Sequence, residues 1–421
     1  MNKKTFPLRR NLGAAGLLAL LAGAAHAQGV PNSTPSSAPG FDGQTIQVGY
    51  IGPLTGPVAV LGQPVLTGMQ VFFEAVNAQG GIAGKYKVKV LTEDHQNTEA
   101  QAVQKYAKQK GGVVTGAMFG THTTKAVLPE LRRDRFVMAP AGFEGFMIKD
   151  PNLLPIGSTY ELMAINSVDY LVHKGGRKDA NFCALVRDDP FGLAGLKGWK
   201  FALEKTGKKV VETTYLGQAD KDFTGQVNQM KNAKCEVVLV TTVPGQLVSI
   251  VGSAARAGFA PQWVGQWPSW HGALLNTPVV DYLEKNVMIA GEGVEWGGTN
   301  APGVAPMLAD IARYRPEQKP DLWVVVGYTQ ARAMTAMLEK AVANGDLSRD
   351  GVMKALTQLG EVDNQGLSGN YKYGPIAARA PAMAGSIFRI NRNKPFGLEG
   401  VEMNYTSPLV KSYVFDDETK K

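Results

Sequence analysis

Residues 46–81, IQVGYIGPLTGPVAVLGQPVLTGMQVFFEAVNAQGG, hold the fold in miniature. IQVGYIG (46–52) is a short β-branched and aromatic run that suits a strand. A turn rich in Gly and Pro follows, GPLTGPVAVLG. From Pro64 onward apolar residues recur at helical spacing until Gly80-Gly81, a helix stop signal. Strand, Gly-rich turn and returning helix make the opening of an α/β domain whose turn is placed to meet a small ligand.

Downstream the same alternation continues. KVKVLTED (87–94), VVTGAMFG (113–120) and FVMAPAG (136–142) read as strands, separated by helices over 98–111 and 124–135. Parallel strands need crossover helices, so this pattern predicts a parallel sheet with helices on both faces. After residue 160 the pattern restarts: NFCALVRDD, VVETTYLG, EVVLVTT and QWVGQW are strands with helices between them. NVMIAGEGVEW (286–296) is a further strand-like crossing, two amphipathic helices follow over 329–345 and 349–360, and GLSGNYKYG to FRINRN reads as a hairpin. The fold class is therefore α/β, with two doubly wound three-layer lobes joined by hinge crossings. Lobe 1 is expected over 45–158 plus 292–365 and lobe 2 over 159–291 plus 366–415. The crossings fall near Pro155–Tyr160, Val287–Glu295 and Asn364–Tyr371.

Upstream, residues 1–27 read as a cleaved signal peptide: Lys3, Lys4, Arg9 and Arg10, an acid-free apolar run from Leu12 to Ala25, then Ala25-His26-Ala27. The mature start is expected at Gln28, and the protein is expected in the periplasm. Arg9-Arg10 leaves a twin-arginine export route open beside the ordinary one. The Pro/Ser/Gly-rich stretch 28–44 reads as a flexible N-terminus. Four of the charges behind the formal +8 sit in the leader, which leaves +4 on the mature chain. The basic residues are scattered, without aromatic interleaving, so nucleic acid is not an expected partner. Two cysteines, Cys183 and Cys235, fall in or beside strands of the same half of the chain. Export permits a disulfide, and the sequence leaves that and two buried free thiols both open.

The turns that should line a cleft are GPLTGPVAVLG, FGTHTT, APAGFEG, RDDPFG, TTVPGQ and GQWPSWHG. Ligands gather in such crevices because helix N-termini and free backbone groups converge there. None of these turns is a P-loop, a dinucleotide fingerprint or a nucleophile elbow, so catalysis is not expected. No His/Cys/Asp spacing suggests a metal, and no cofactor is expected. His95 and His173 read as surface residues.

The long block 46–84, GTHTTKAVLPELRRDRFVMAPAG, DDPFG before a helix, SAARAGFAPQWVG and the late GLSGNYKYG resemble the Leu/Ile/Val-binding type of periplasmic solute-binding protein of ABC transporters. The resemblance spans roughly residues 45–375 and implies the type I periplasmic binding protein fold. It further implies a small-molecule ligand, an ABC permease as partner and a monomeric state. It maps a carboxylate-holding helix start onto Gly120, Thr121, His122 and Thr123. A second turn maps onto Ala141, Gly142 and Phe143, and an aromatic that closes over the ligand onto Phe191; Leu61, in the cleft-lining turn GPLTGPVAVLG, is a further candidate contact. Phe143 stands where the family has Ser or Thr, and Val243 where a Tyr often sits. Trp267 stands where a Glu accepts the ligand's ammonium. Losing that Glu argues against a free α-amino acid, because a buried ammonium without a carboxylate is costly; Asp189 or Glu295 remain as substitutes. Trp267 and Trp270, with Trp296 near a crossing, point to an aromatic or otherwise apolar carboxylate, the alternative being ordinary lobe packing. Trp263 is expected in the core. The expected function is capture of such a solute and delivery to an ABC importer. The alternatives are a sensory receptor's ligand-binding subunit or a branched-chain amino acid or amide binder.

Overall fold

A computed structural model describes residues 38–299 and 301–416, with the single positions 1 and 35. The expected leader and most of the stretch before residue 38 lie outside the described residues. The first sheet contains β1 (Thr45–Gly52), β2 (Lys87–Asp94), β3 (Thr115–Phe119) and β4 (Met138–Ala141), in the order β2-β1-β3-β4 and all parallel. Every residue of β3 and β4 is buried, as expected of strands covered on both faces. Helices α1 (Ala59–Ala78), α2 (Glu99–Gln109) and α3 (Thr121–Asp134) supply the crossovers, and the short α4 (Phe146–Lys149) follows β4.

The second sheet has the order β13-β12-β9-β8-β7-β5-β6. Its parallel part comprises β5 (Phe182–Arg187), β6 (Val210–Leu216), β7 (Val237–Thr241), β8 (Gln262–Gln266) and β9 (Val287–Gly291). Helices α5 (Tyr160–His173), α6 (Pro190–Lys205), α7 (Thr224–Asn232), α8 (Pro244–Arg256) and α9 (Val280–Asn286) accompany these strands. Asp189 caps α6 by accepting the Gly192 amide at 3.0 Å, and Pro190 takes the first helical position, where its missing N–H costs nothing.

The chain then returns to the first sheet with α10 (Val304–Tyr314), α11 (Leu322–Ala343) and α12 (Arg349–Thr357). Helix α11 lies on α1 at very close range. A methyl group built on Gly327 would stand 1.8 Å from the Val65 carbonyl oxygen, and one on Gly68 would stand 1.9 Å from that of Val324. Two small strands, β10 (Glu361–Val362) and β11 (Tyr371–Lys372), pair with each other, and β12 (Gly385–Ile390) and β13 (Leu398–Tyr405) complete the second sheet antiparallel. The expected hairpin from GLSGNYKYG to FRINRN is therefore corrected: its first arm pairs backward with β10, and its second pairs with β9 and β13. The chain passes between the sheets after β4, after β9 and after β11.

Residues 38–44 belong to the fold, which corrects the reading of 28–44 as flexible for its last seven residues. Phe41 is buried edge-on against Tyr86 at 5.1 Å, and the Gly40 carbonyl accepts the Gln47 amide at 2.7 Å. Cys183 in β5 and Cys235 before β7 form a disulfide with Cα atoms 5.8 Å apart. His95 is fully buried, contrary to its reading as a surface residue. Its Nε2 meets the Phe119 carbonyl at 2.9 Å and its Nδ1 accepts the Asn97 amide at 2.9 Å. Burial pushes its pKa down to about 4.

Candidate functional site

The carboxyl ends of both parallel sheets meet at a small cavity. On the lobe 1 side its wall starts with the turn from β3 into α3. Gly120 ends the strand with φ +102°, a conformation suited to glycine, and a Cβ there would meet the Thr123 hydroxyl at 2.6 Å. No side chain caps α3, so the amides of its first turn, Thr121 to Thr123, are left for a ligand. The Thr121 hydroxyl is buried beside the Tyr160 phenol and makes no well-formed hydrogen bond. His122 approaches the Asn97 carbonyl through Nε2 at 3.2 Å, so that nitrogen donates. Burial lowers its pKa, which favours the neutral imidazole.

From lobe 2 comes Arg187, at the carboxyl end of β5 and only 3% exposed. Its amide donates to the Thr241 hydroxyl at 3.0 Å, and its Nε and Nη2 pair with Asp189 Oδ2 at 2.7 and 2.5 Å. Nη1 takes no partner among the described residues. Asp189 Oδ1 accepts the Gly192 amide, so both carboxylate oxygens are committed. Apolar groups fill the rest of the wall: Val58, Leu61, Phe119, Ala141, Phe191, Val243, Pro268 and Trp323. Across the cleft, the Gln218 side-chain amide donates to the Asn97 carbonyl at 3.0 Å.

Of the sequence-predicted residues, Leu61, Gly120, Thr121, His122, Ala141, Phe191 and Val243 line this cavity. The others lie elsewhere. Thr123 turns its hydroxyl back to the Phe119 and Gly120 carbonyls at 2.5 and 3.1 Å. Gly142 is pressed against Met147 and Thr121, and Phe143 packs edge-on behind Tyr160 at 5.6 Å. Trp270 is core: it is 1% exposed, and its indole donates to the Phe396 carbonyl at 3.0 Å. Trp296 is half-buried against the core and lines no described cavity. Trp267 lines a neighbouring cavity, because a one-turn 3₁₀ segment after β8 (Trp267–Ser269) sends Pro268 to the first. Glu295 accepts the Gly400 amide and is not in the wall. His271 pairs with Asp321 at 3.2 Å. Trp263 is fully buried.

The sequence reading missed Arg187, Tyr160, Asn97 and Trp323. Arg187 had a signal, since a cation closing the apolar run FCALV just before a helix cap is an unusual charge to bury. Trp323 had none; it arrives from a helix more than 180 residues beyond β4.

Comparison with known proteins agrees with this architecture. A fatty acid ABC transporter substrate-binding protein from Thermomonospora curvata superposes with a TM-score of 0.84 at 26% identity, covering 91% of this chain and 97% of its own. A branched-chain amino acid ABC transporter protein from Thermus thermophilus with bound valine shares the fold, with a TM-score of 0.72 at 17% identity, covering 88% and 98%. The Leu/Ile/Val-binding protein homolog 3 of Brucella melitensis is 27% identical over 290 residues, 65% of this chain and 70% of its own. Homolog 7 of Brucella suis is 25% identical and aligned over 62% of its length. Residues 45–395 match the family model for periplasmic binding proteins, and the chain belongs to that family.

Proposed function

We propose that this protein captures a small carboxylate with an apolar body between its lobes and presents it, in the periplasm, to an ABC permease. One observation carries the ligand class: the cation Arg187 lines the cavity with Nη1 unpartnered among the described residues, and the cavity's one carboxylate among the described lining residues is already neutralised. Arg187 Nη1, the Thr121 hydroxyl and the first amides of α3 suit an anion, which a helix N-terminus stabilises by up to about 1–2 kcal/mol. Asp189 is spent on Arg187 and on the α6 cap, so an α-ammonium would be buried without a counter-charge. The apolar remainder of the wall suits an alkyl or aryl body. The fatty-acid-binding relative at 26% identity supports the same class. The three crossings supply the hinge, and ligand touching both walls favours the closed arrangement.

Thermal melting of the purified chain tests this reading, because a ligand raises the midpoint as RT ln(1 + [L]/Kd). Straight-chain and aromatic carboxylates should stabilise the protein while their methyl esters should not. Arg187→Lys, which keeps the charge but loses the planar fork, should weaken carboxylate binding about tenfold. Stabilisation by leucine or valine, with none by the corresponding acids lacking the amino group, would overturn it.

A further inference from the structure

A second, tighter cavity shares a wall with the first. Neighbouring residues face opposite sides of that wall: Trp323 and Pro268 look into the first cavity, Leu322 and Trp267 into the second. The partition is the pair of indoles, Trp267 and Trp323, with ring centres 6.2 Å apart and planes tilted by 47°. Beyond it, Leu322, Val325 and Val326 of α11 give an apolar surface, joined by Thr329 and by Glu292 of a crossing.

This apolar space holds two polar atoms without partners. Trp267 Nε1 and Thr329 Oγ1 are buried, their residues 6% and 1% exposed, and neither makes a hydrogen bond. A buried donor left unpaired carries its full desolvation cost, so a ligand that brings an oxygen there gains what the empty protein forgoes.

We propose that the second cavity is the distal subsite of one elongated site, taking the far end of a carboxylate too long for the first cavity and favouring an end that bears an oxygen. This rests on the carboxylate reading above. The head group lies at Arg187 and the start of α3, the chain passes the two indoles, and a terminal hydroxyl or carbonyl meets Trp267 Nε1 and Thr329.

Calorimetric titration of the purified full chain with butanoate, octanoate and ω-hydroxyoctanoate tests it. Octanoate should bind more tightly than butanoate, and ω-hydroxyoctanoate about fivefold or more tighter than octanoate. Thr329→Val, which removes the unpartnered hydroxyl at nearly the same volume, should shrink the hydroxyl advantage to about twofold or less without weakening octanoate. Val326→Phe, which fills the subsite, should weaken octanoate about tenfold while butanoate stays within about twofold. Equal affinities along the series, or a hydroxyl advantage untouched by Thr329→Val, would overturn the distal subsite while leaving the carboxylate reading intact. No binding by any of the three acids would overturn both.

Discussion

Glu292 shows how one side chain can tie the two crossings it joins to pH. It sits on the second crossing, is buried, and accepts the Ser158 amide of the first crossing at 2.6 Å through Oε2. Gly157 beside it has φ +67°, and a Cβ there would collide with the carboxylate at 1.8 Å. Burial raises the Glu292 pKa from 4.5 to about 8. The folded protein therefore keeps a proton that the unfolded chain has lost across that interval. The unfolded state binds fewer protons there, so this group's contribution to stability falls as pH rises from about 4.5 to about 8. Glu292→Gln should flatten that decline in melting temperature. Part of the slope should survive, since buried Glu161, pushed up to about 7, acts in the same direction. An unchanged slope in the variant would place the titrating group elsewhere. The fate of the tryptophans is a lesson of this scale too. Residue type marked QWPSWHG as aromatic, but direction is decided by a single 3₁₀ turn, and Trp270 is directed into the core by one hydrogen bond to Phe396. Composition carries no information about either.

The close seat of α11 on α1 governs more than packing. Gly68 and Gly327 let the two backbones approach until carbonyl oxygens stand where methyl groups would be. Helix α11 also carries Trp323, one half of the indole partition, and Leu322 in the wall of the second cavity, so the depth of that seat sets where both cavities end. Gly327→Ala should force the helices apart at a cost of about 2 kcal/mol, read as a lower urea midpoint with an unchanged slope. At this scale the sequence was most readable. Period and punctuation revealed β1 to β9: the central strands stand out as buried apolar runs, and the half-exposed edge strands β2 and β6 are marked by the turns and amphipathic helices around them. The helix start at Gly120–Thr121 was legible for the same reason: a cap site is local in sequence. The wall built by Arg187, Tyr160 and Trp323 was not, because it is assembled from segments that only the tertiary fold brings together. The same holds for the tail, where the turn at residues 366–374 gave no clue that its strand pairs backward with β10.

For the whole molecule, the division of labour between the lobes is unequal. Lobe 2 carries the disulfide, which joins β5 to the start of β7 across 52 residues of sequence. In chain-entropy terms a loop of that length contributes about 4 kcal/mol, with measured values commonly about 2–4. Replacing Cys183 and Cys235 together by Ala should lower the melting temperature by several degrees, and a reducing agent should destabilise the native chain but not the variant. Equal melting of the two proteins would remove the cross-link from the balance. The course of the chain also orders its assembly in time. Residues 159–291 form one unbroken segment, so the parallel strands of lobe 2, cross-link included, can pair as soon as that segment is available. The sheet that begins first has to wait. Strands β1 to β4 and helix α1 keep an apolar flank uncovered until α11 arrives, more than 240 residues after the end of α1. The sheet made before lobe 2 is thus completed after it, and for that interval α1 is a surface in need of a holding chaperone.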